Sequence, residues 1–249
     1  LGDAARATRA RVALGGVELA QGEGDSARAN LDQAAAEAKK LDLPALEAAA
    51  LNDLGNLEML SGEAAVAAAF YQRAGQAAGR AGDFALVARA EANAAQALGG
   101  NATQALAAAA RAEQALARAG PTAPRAVLLL NLGLGVEQMI ALHPDRARAL
   151  AARASALLES AEAVAREQGD ARVLAYALAA RGGLEAEEGD LAAGLSLTRE
   201  ALDGARLLDA PELVYRWQAQ WARLLAAPGV TNLEAGFGPS PSDGEEEEE

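Results

Sequence analysis

Apolar residues recur along the chain with the three-to-four-residue spacing of amphipathic helices, and short turns containing glycine or aspartate separate these segments. The segment 51–74 predicts two helices joined by a turn at Gly62, because glycine readily adopts the left-handed backbone conformation that ends a helix. Gly55 and Ala67 are small, which lets the two helices cross closely. One such pair leaves an apolar face uncovered, so we expect several pairs to stack.

Six positions of this segment match positions forty residues earlier in the chain. They are Leu14, Gly15, Gly22, Ala27, Leu31 and Ala34, which correspond in order to Leu54, Gly55, Gly62, Ala67, Tyr71 and Ala74. One offset shared by six positions indicates an internal repeat of about 40 residues. The predicted repeats lie near residues 8–45, 46–84, 85–122, 124–170 and 171–209, with a half repeat at 211–229.

The later repeats depart from this pattern. In the third, Ala92 and Asn93 stand where the Leu-Gly pair is expected. In the fourth, Gly133 and Gly135 are both candidates for the glycine at the helix crossing. Either choice leaves about seven to nine extra residues, which predicts a second helix longer by roughly two turns.

The order Leu-Gly, glycine, alanine, aromatic residue, alanine resembles the tetratricopeptide repeat (TPR). This resemblance implies an all-α solenoid of helical hairpins, wound into a right-handed superhelix of about five and a half repeats over residues 1–229. TPR arrays typically bind a segment of a partner protein in their concave groove. We therefore expect a protein-interaction module.

Three features are similar to the TPR arrays that precede caspase-like CHAT peptidase domains in bacteria. They are the 40-residue period, helix-end pairs such as Gly169-Asp170, and a last helix with Tyr215, Arg216, Trp217 and Trp221. This likeness implies the regulatory repeat region of a larger bacterial protein. Other large bacterial regulators carry similar arrays, so a neighbouring domain of another type is an alternative.

Composition narrows the possible functions. Apolar residues make up 51% of the chain and aromatic residues only 3%, which suits close packing of small residues between helices. Cysteine is absent, which excludes disulfides, thiolate zinc sites and a cysteine nucleophile within this sequence. No apolar run reaches the roughly 18 residues that span a membrane, and no signal peptide is recognisable, so we expect a cytoplasmic protein without a membrane partner.

The net charge of −13 is concentrated at the C-terminal end. Seven of the 35 acidic residues follow residue 229, which leaves 28 against 22 basic residues in 1–229, a net charge of −6. Without a basic stripe, nucleic acid is not an expected partner. Residues 230–249, rich in glycine, proline, serine and glutamate, are predicted to form a disordered acidic tail, either natural or vector-derived.

Candidate catalytic and metal-binding residues are few. His143 is the single histidine and precedes Pro144 in a predicted turn, where a structural role is expected. Glu18, Glu58 and Glu185 occupy equivalent repeat positions, which stacking would separate by about 10 Å, too far to share one metal ion. We therefore expect no catalytic residue, metal site or cofactor, and an inter-helix or solvated role for these glutamates.

The predicted groove is lined by residues on the first helix of each repeat, near the Leu-Gly pair. The predicted positions are Val12, Leu19, Asn52, Asn56, Met59, Leu60, Leu98, Tyr176, Arg216 and Arg223, and the same spacing adds Gly16, Ala90, Ala94 and Gly183. The middle of the groove lacks repeated lysine or arginine, so a helix or extended segment with apolar anchors is the expected ligand. Asn52 and Asn56 are placed to hydrogen-bond either a peptide backbone or local groups.

Two other functions stay open at this point. The array is alternatively a passive spacer or oligomerisation scaffold, with self-association through the uncapped C-terminal helix near Trp217, which the next helix of an intact array would cover. It is alternatively a non-catalytic fragment of a CHAT-type protease whose active domain lies elsewhere.

Overall fold

The computed structural model describes residues 2–119 and 124–227, so the predicted tail at 230–249 lies outside the described residues. All regular structure in these ranges is helical, which confirms the predicted all-α class. The α-helices are α1 (Asp3–Gln21), α2 (Gly24–Lys40), α3 (Pro44–Leu60), α4 (Ala64–Ala81), α5 (Phe84–Ala97), α6 (Ala102–Arg118), α7 (Arg125–Leu142), α8 (Ala147–Gln168), α9 (Ala171–Glu187), α10 (Leu191–Leu207) and α11 (Pro211–Leu225). A short 3-10 helix, Pro144–Arg146, precedes α8.

The helices pack as successive hairpins within two compact units, Leu1–Val164 and Ala165–Glu249, here unit 1 and unit 2. In unit 1 each helix from α1 to α6 packs against the next, and α1, α3, α5 and α7 also contact one another in sequence. In unit 2, α10 packs against both α9 and α11. The fold is therefore an all-α helical repeat array, in which the first helices of consecutive pairs in unit 1 lie side by side.

Left-handed residues end the helices at the predicted turns. Gly22 and Gly62 have φ angles of 81° and 82°, and each amide bonds a carbonyl of the preceding turn. Asp42 takes the same conformation with a φ of 52°, which short polar side chains tolerate better than other non-glycine residues. The turn chemistry is thus encoded locally in the sequence.

Glycines also occupy the helix crossings. A Cβ atom on Gly55 would lie 2.5 Å from the Tyr71 ring, and one on Gly15 would lie 2.6 Å from Leu31. In the fourth repeat a Cβ on Gly133 would lie 2.7 Å from Leu158, whereas one on Gly135 would have no neighbour within 4 Å. Gly133 is therefore the crossing glycine, and the structure decides between the two candidates.

The predicted alignment of the third repeat is wrong by one residue. Two glycines, Gly99 and Gly100, separate the caps of α5 and α6, whereas Gly62 alone separates those of α3 and α4. This longer turn shifts α5 by one position, so Ala92 and not Asn93 corresponds to Gly55. The Asn93 side chain reaches α3 instead of the crossing with α6.

The expectation that no segment is apolar enough to span a membrane is wrong for helix α7. Its 18 residues, Arg125–Leu142, satisfy that test by length and composition, and it is the one described helix that does so. In the structure α7 is a core helix of unit 1. Leu128, Leu132 and Val136 are each at most 6% exposed, which explains its apolar composition.

The two tryptophans of α11 do not form the expected exposed face. Trp217 is only 3% exposed and packs within the core of unit 2, where its ring meets Tyr176 edge-on at 5.4 Å. Trp221 is half-buried, and the Nε1 atom of each indole is buried without a hydrogen-bond partner in the described ranges. Packing against α9 and α10 accounts for the burial of Trp217, so no following helix is needed to cover this side chain.

Candidate binding groove

Helices α3, α5 and α7 of unit 1 border an open cavity of about 630 Å³, a volume typical of ligand sites. Its polar lining residues define the amide groove, and they are Asn52, Asp53 and Asn56 on α3, Arg89, Asn93 and Gln96 on α5, and Asn131 and Gln138 on α7. Val127, Leu128 and Met139 contribute apolar lining. Six of the eight polar residues carry a primary amide.

Side-chain hydrogen bonds organise the α3 wall of the amide groove. Asn93 Nδ2 donates to Asn52 Oδ1 at 3.0 Å, and the Tyr71 hydroxyl donates to Asn56 Oδ1 at 2.9 Å. Asn52 and Asn56 then each donate an amide N–H to Asp53 Oδ1, at the longer distances of 3.4 and 3.3 Å. Asn93 and Tyr71 therefore hold the two asparagines in place, and the asparagines in turn orient the Asp53 carboxylate between them.

Asp53 is electrostatically unusual. Burial raises the pKa of its carboxyl group, and this effect outweighs the lowering by the hydrogen bond from Asn52, by the charge of Arg89 and by the hydrogen bond from Asn56. Within residues 2–119 and 124–227, no basic group lies within 4.0 Å of this carboxylate. Burial and the Asp53 charge also raise the pKa of Tyr71 to about 12.

The side chains on the opposite wall have unused hydrogen-bonding capacity. Gln96, Asn131 and Gln138 are exposed and form no side-chain hydrogen bond with any residue in the described part of the chain. Each amide offers N–H donors and a carbonyl acceptor. This wall can therefore pair with a ligand that presents both kinds of group.

Of the predicted groove residues, only Asn52 and Asn56 line this cavity. Asn52 is 3% exposed, so its amide supports the wall and is not presented to a ligand. Val12 and Leu19 of α1 pack against the core formed by α2, α3, α4 and α5. Both side chains are half-buried, and their contact with a ligand stays a prediction.

The other predicted residues lie outside the cavity lining. Met59 is half-buried and Leu60 is 74% exposed at the end of α3, and Leu98 is half-buried at the C-cap of α5. In unit 2, the Arg216 guanidinium lies 5.8 Å from the Tyr176 ring centre. Arg223, which also belongs to unit 2, is exposed.

The sequence pattern missed most of the amide groove. Ala90 and Ala94 were expected to line the predicted groove but are 0% exposed. The one-residue shift of α5 places Arg89 and Asn93 there instead. The sequence did carry one signal for these lining residues, namely isolated polar residues on otherwise apolar first helices. Asn131 on α7 is the clearest of these residues.

The remaining polar candidates hold helices together. The His143 ring Nε2 hydrogen-bonds the Gly99 carbonyl oxygen at 2.8 Å and so links two turns. Asn30 Nδ2 donates to both carboxylate oxygens of Glu18, and the Glu58 carboxylate pairs with the Arg28 guanidinium at 2.7 Å. These contacts confirm the inter-helix role for two of the three recurring glutamates. In the described ranges, no cluster of three metal-ligating side chains is present.

A scan against protein-family models gave no match, and a search of curated proteins found no similar sequence. The likeness to TPR arrays therefore depends on the repeated residues and on the helical-hairpin architecture. Such all-helical repeat folds are typical of non-enzymatic scaffolds.

Proposed function

We propose that the chain is a TPR-type protein-interaction module that binds a segment of a partner protein in the amide groove. The observation that carries this proposal is a cavity of about 630 Å³ in which the amides of Gln96, Asn131 and Gln138 have no hydrogen-bond partner among the described residues. Exposed amides that the protein does not use can exchange their hydrogen bonds with water for hydrogen bonds with a complementary ligand.

An extended peptide segment fits these amides better than a helix does. The backbone N–H and C=O groups of a helix are already paired within the helix, whereas those of an extended segment are free. A primary amide can donate to a peptide carbonyl and accept from a peptide N–H. The apolar lining adds a place for one anchoring side chain, since Val127 is 40% exposed beside the cavity.

The wider role follows from the resemblance to bacterial regulatory arrays. We propose a cytoplasmic repeat region of a larger bacterial protein, which recognises a partner and performs no catalysis itself. The imidazole of His143 already bonds a backbone carbonyl, which supports a structural role for the single histidine.

Selection from a random 12-residue peptide display library tests the proposal. The variant Asn131→Ala, Gln138→Ala removes two exposed amides from α7, and the matched control Gln104→Ala, Gln114→Ala removes two exposed amides from α6. Peptides enriched on the wild-type chain are expected to bind the control equally and the α7 variant at least tenfold more weakly, with both variants folded by circular dichroism. Equal binding to the α7 variant, or no enrichment, would refute groove recognition.

An oligomerisation scaffold is the second candidate. It is supported by two large apolar side chains of unit 2, Leu207 at 90% and Tyr215 at 77% exposure. Light scattering after gel filtration separates the candidates, because a scaffold is expected to form oligomers that the Leu207→Ser, Tyr215→Ser variant disrupts. A monomer over the accessible concentration range would contradict it. The fragment of a CHAT-type protease, the third alternative, requires an adjoining catalytic domain in the full reading frame.

A further inference from the structure

The Asp53 carboxylate of the amide groove is held by hydrogen bonds to only one of its two oxygens. Oδ1 accepts from both neighbouring asparagines, whereas Oδ2 forms no hydrogen bond with any described residue. A Cβ atom on Gly16 of α1 would lie 3.6 Å from Oδ2. Because Gly16 has no side chain, it does not cover Oδ2 from the side of α1.

Three poorly exposed carboxylates of unit 1 have an arginine partner. The side chains of Glu47, Glu58 and Glu91 are 12%, 8% and 13% exposed. They pair with arginines at 2.6, 2.7 and 2.8 Å respectively. A carboxylate removed from water is costly unless a cation or several hydrogen bonds compensate it. Asp53 differs from these three because the described chain places no such cation in contact with it.

Arg89 is the nearest candidate for an internal partner. Its charge acts on Asp53, but its guanidinium lies outside ion-pair distance, and the side chain is exposed on α5. It therefore reduces the charge of the groove without forming an ion pair with the carboxylate.

We propose that the segment bound in the amide groove carries a lysine or arginine whose cationic group pairs with Asp53. This inference rests on the proposed function, because it names the chemistry of the segment that the groove accepts. Two observations support it: Oδ2 has no hydrogen-bond donor among the described residues, and residues 1–229 carry a net charge of −6, which favours the approach of basic segments.

The peptide display selection is repeated on the wild type, on Asp53→Asn and on the matched control Asp32→Asn, an exposed aspartate of α2. The wild type and the control are expected to enrich lysine or arginine at one position of the peptides. Asp53→Asn keeps the size of the side chain and is expected to lose this preference, while peptides without the basic residue still bind.

A second measurement does not depend on the folding of that variant. The lysine of an enriched, fluorescein-labelled peptide is changed to glutamine, and fluorescence polarisation is expected to show affinity for the wild-type chain falling about tenfold to a hundredfold. The same peptide change should have little effect with Asp53→Asn. Arg89→Gln, which removes a neighbouring positive charge, is expected to strengthen binding of the lysine peptide.

The outcomes separate the two proposals. Peptides that need the α7 amides but show no basic preference overturn the inference and leave groove binding intact. Enrichment of acidic residues, or weaker binding of the lysine peptide to Arg89→Gln, also overturns it and identifies Arg89 as the recognition residue. Peptides that ignore the α7 amides, or no enrichment at all, overturn both proposals.

Discussion

The pair Gly133→Ala and Gly135→Ala gives a direct test of how the fourth repeat packs. Both glycines lie within α7, and a Cβ has space at one position only. At Gly133 it would lie 2.7 and 2.8 Å from Leu158 side-chain atoms and 3.3 Å from the Leu158 backbone nitrogen, whereas at Gly135 no atom lies within 4 Å.

The magnitude can be worked out from these distances. Glycine to alanine within a helix stabilises by about 0.5–1 kcal/mol, and this gain is common to both variants. Leu158 is 0% exposed, so it cannot swing into solvent, and overpacking of such a site costs about 1–3 kcal/mol. Gly135→Ala should therefore be more stable than the wild type, and Gly133→Ala should be about 1–3 kcal/mol less stable than Gly135→Ala.

Thermal and urea unfolding followed by circular dichroism measures this difference. For a chain of this length, about 1 kcal/mol corresponds to a shift of roughly 2–4 °C in melting temperature. Comparing the two variants with each other cancels the shared helix propensity and leaves the packing term. Equal stability would refute the close crossing, and a less stable Gly135→Ala would show that the alternative glycine occupies it.

Three further predictions concern individual contacts. Burial raises the pKa of Tyr71 from 10.0 to about 12, so the stability that this group contributes is complete below pH 10 and is lost as the pH rises through 12. Alkaline unfolding should therefore be shallower in Tyr71→Phe, and an unchanged profile would contradict this. Glu58→Gln breaks the ion pair with Arg28 and should cost about 1 kcal/mol in urea unfolding, with less effect at high salt. Trp217→Ala removes a core side chain and should cost about 3–5 kcal/mol, and a loss below about 1 kcal/mol would contradict its burial.

The hairpins and their turns could be predicted from the sequence because local chemistry specifies them. Glycine at the left-handed position of Gly62 and at the crossing of Gly55 is required by backbone conformation and by contact with Tyr71, and both features repeat at a fixed offset. The third repeat shows where this logic stops. A single additional turn residue beside Gly99 changed which residues of α5 face the cavity.

The candidate site could be predicted only in part. Asn52 and Asn56 were identified, but Asp53, Arg89 and the α7 amides were not, because a cavity depends on side chains that come from three helices distant in sequence. Trp217 gives the same lesson in unit 2, since spacing along α11 does not say which side of that helix a neighbour covers.

The sequence by itself determined the class of fold, most helix ends and the close helix crossings of the first two repeats, because each depends on residues within one hairpin and on their backbone preferences. Only the tertiary structure decided the choice of Gly133, the position of Asp53 in the cavity lining, and the burial of Trp217. The physical reason is that periodicity fixes which face of a helix is apolar, whereas turn length and side-chain packing fix how that helix is rotated against its neighbours.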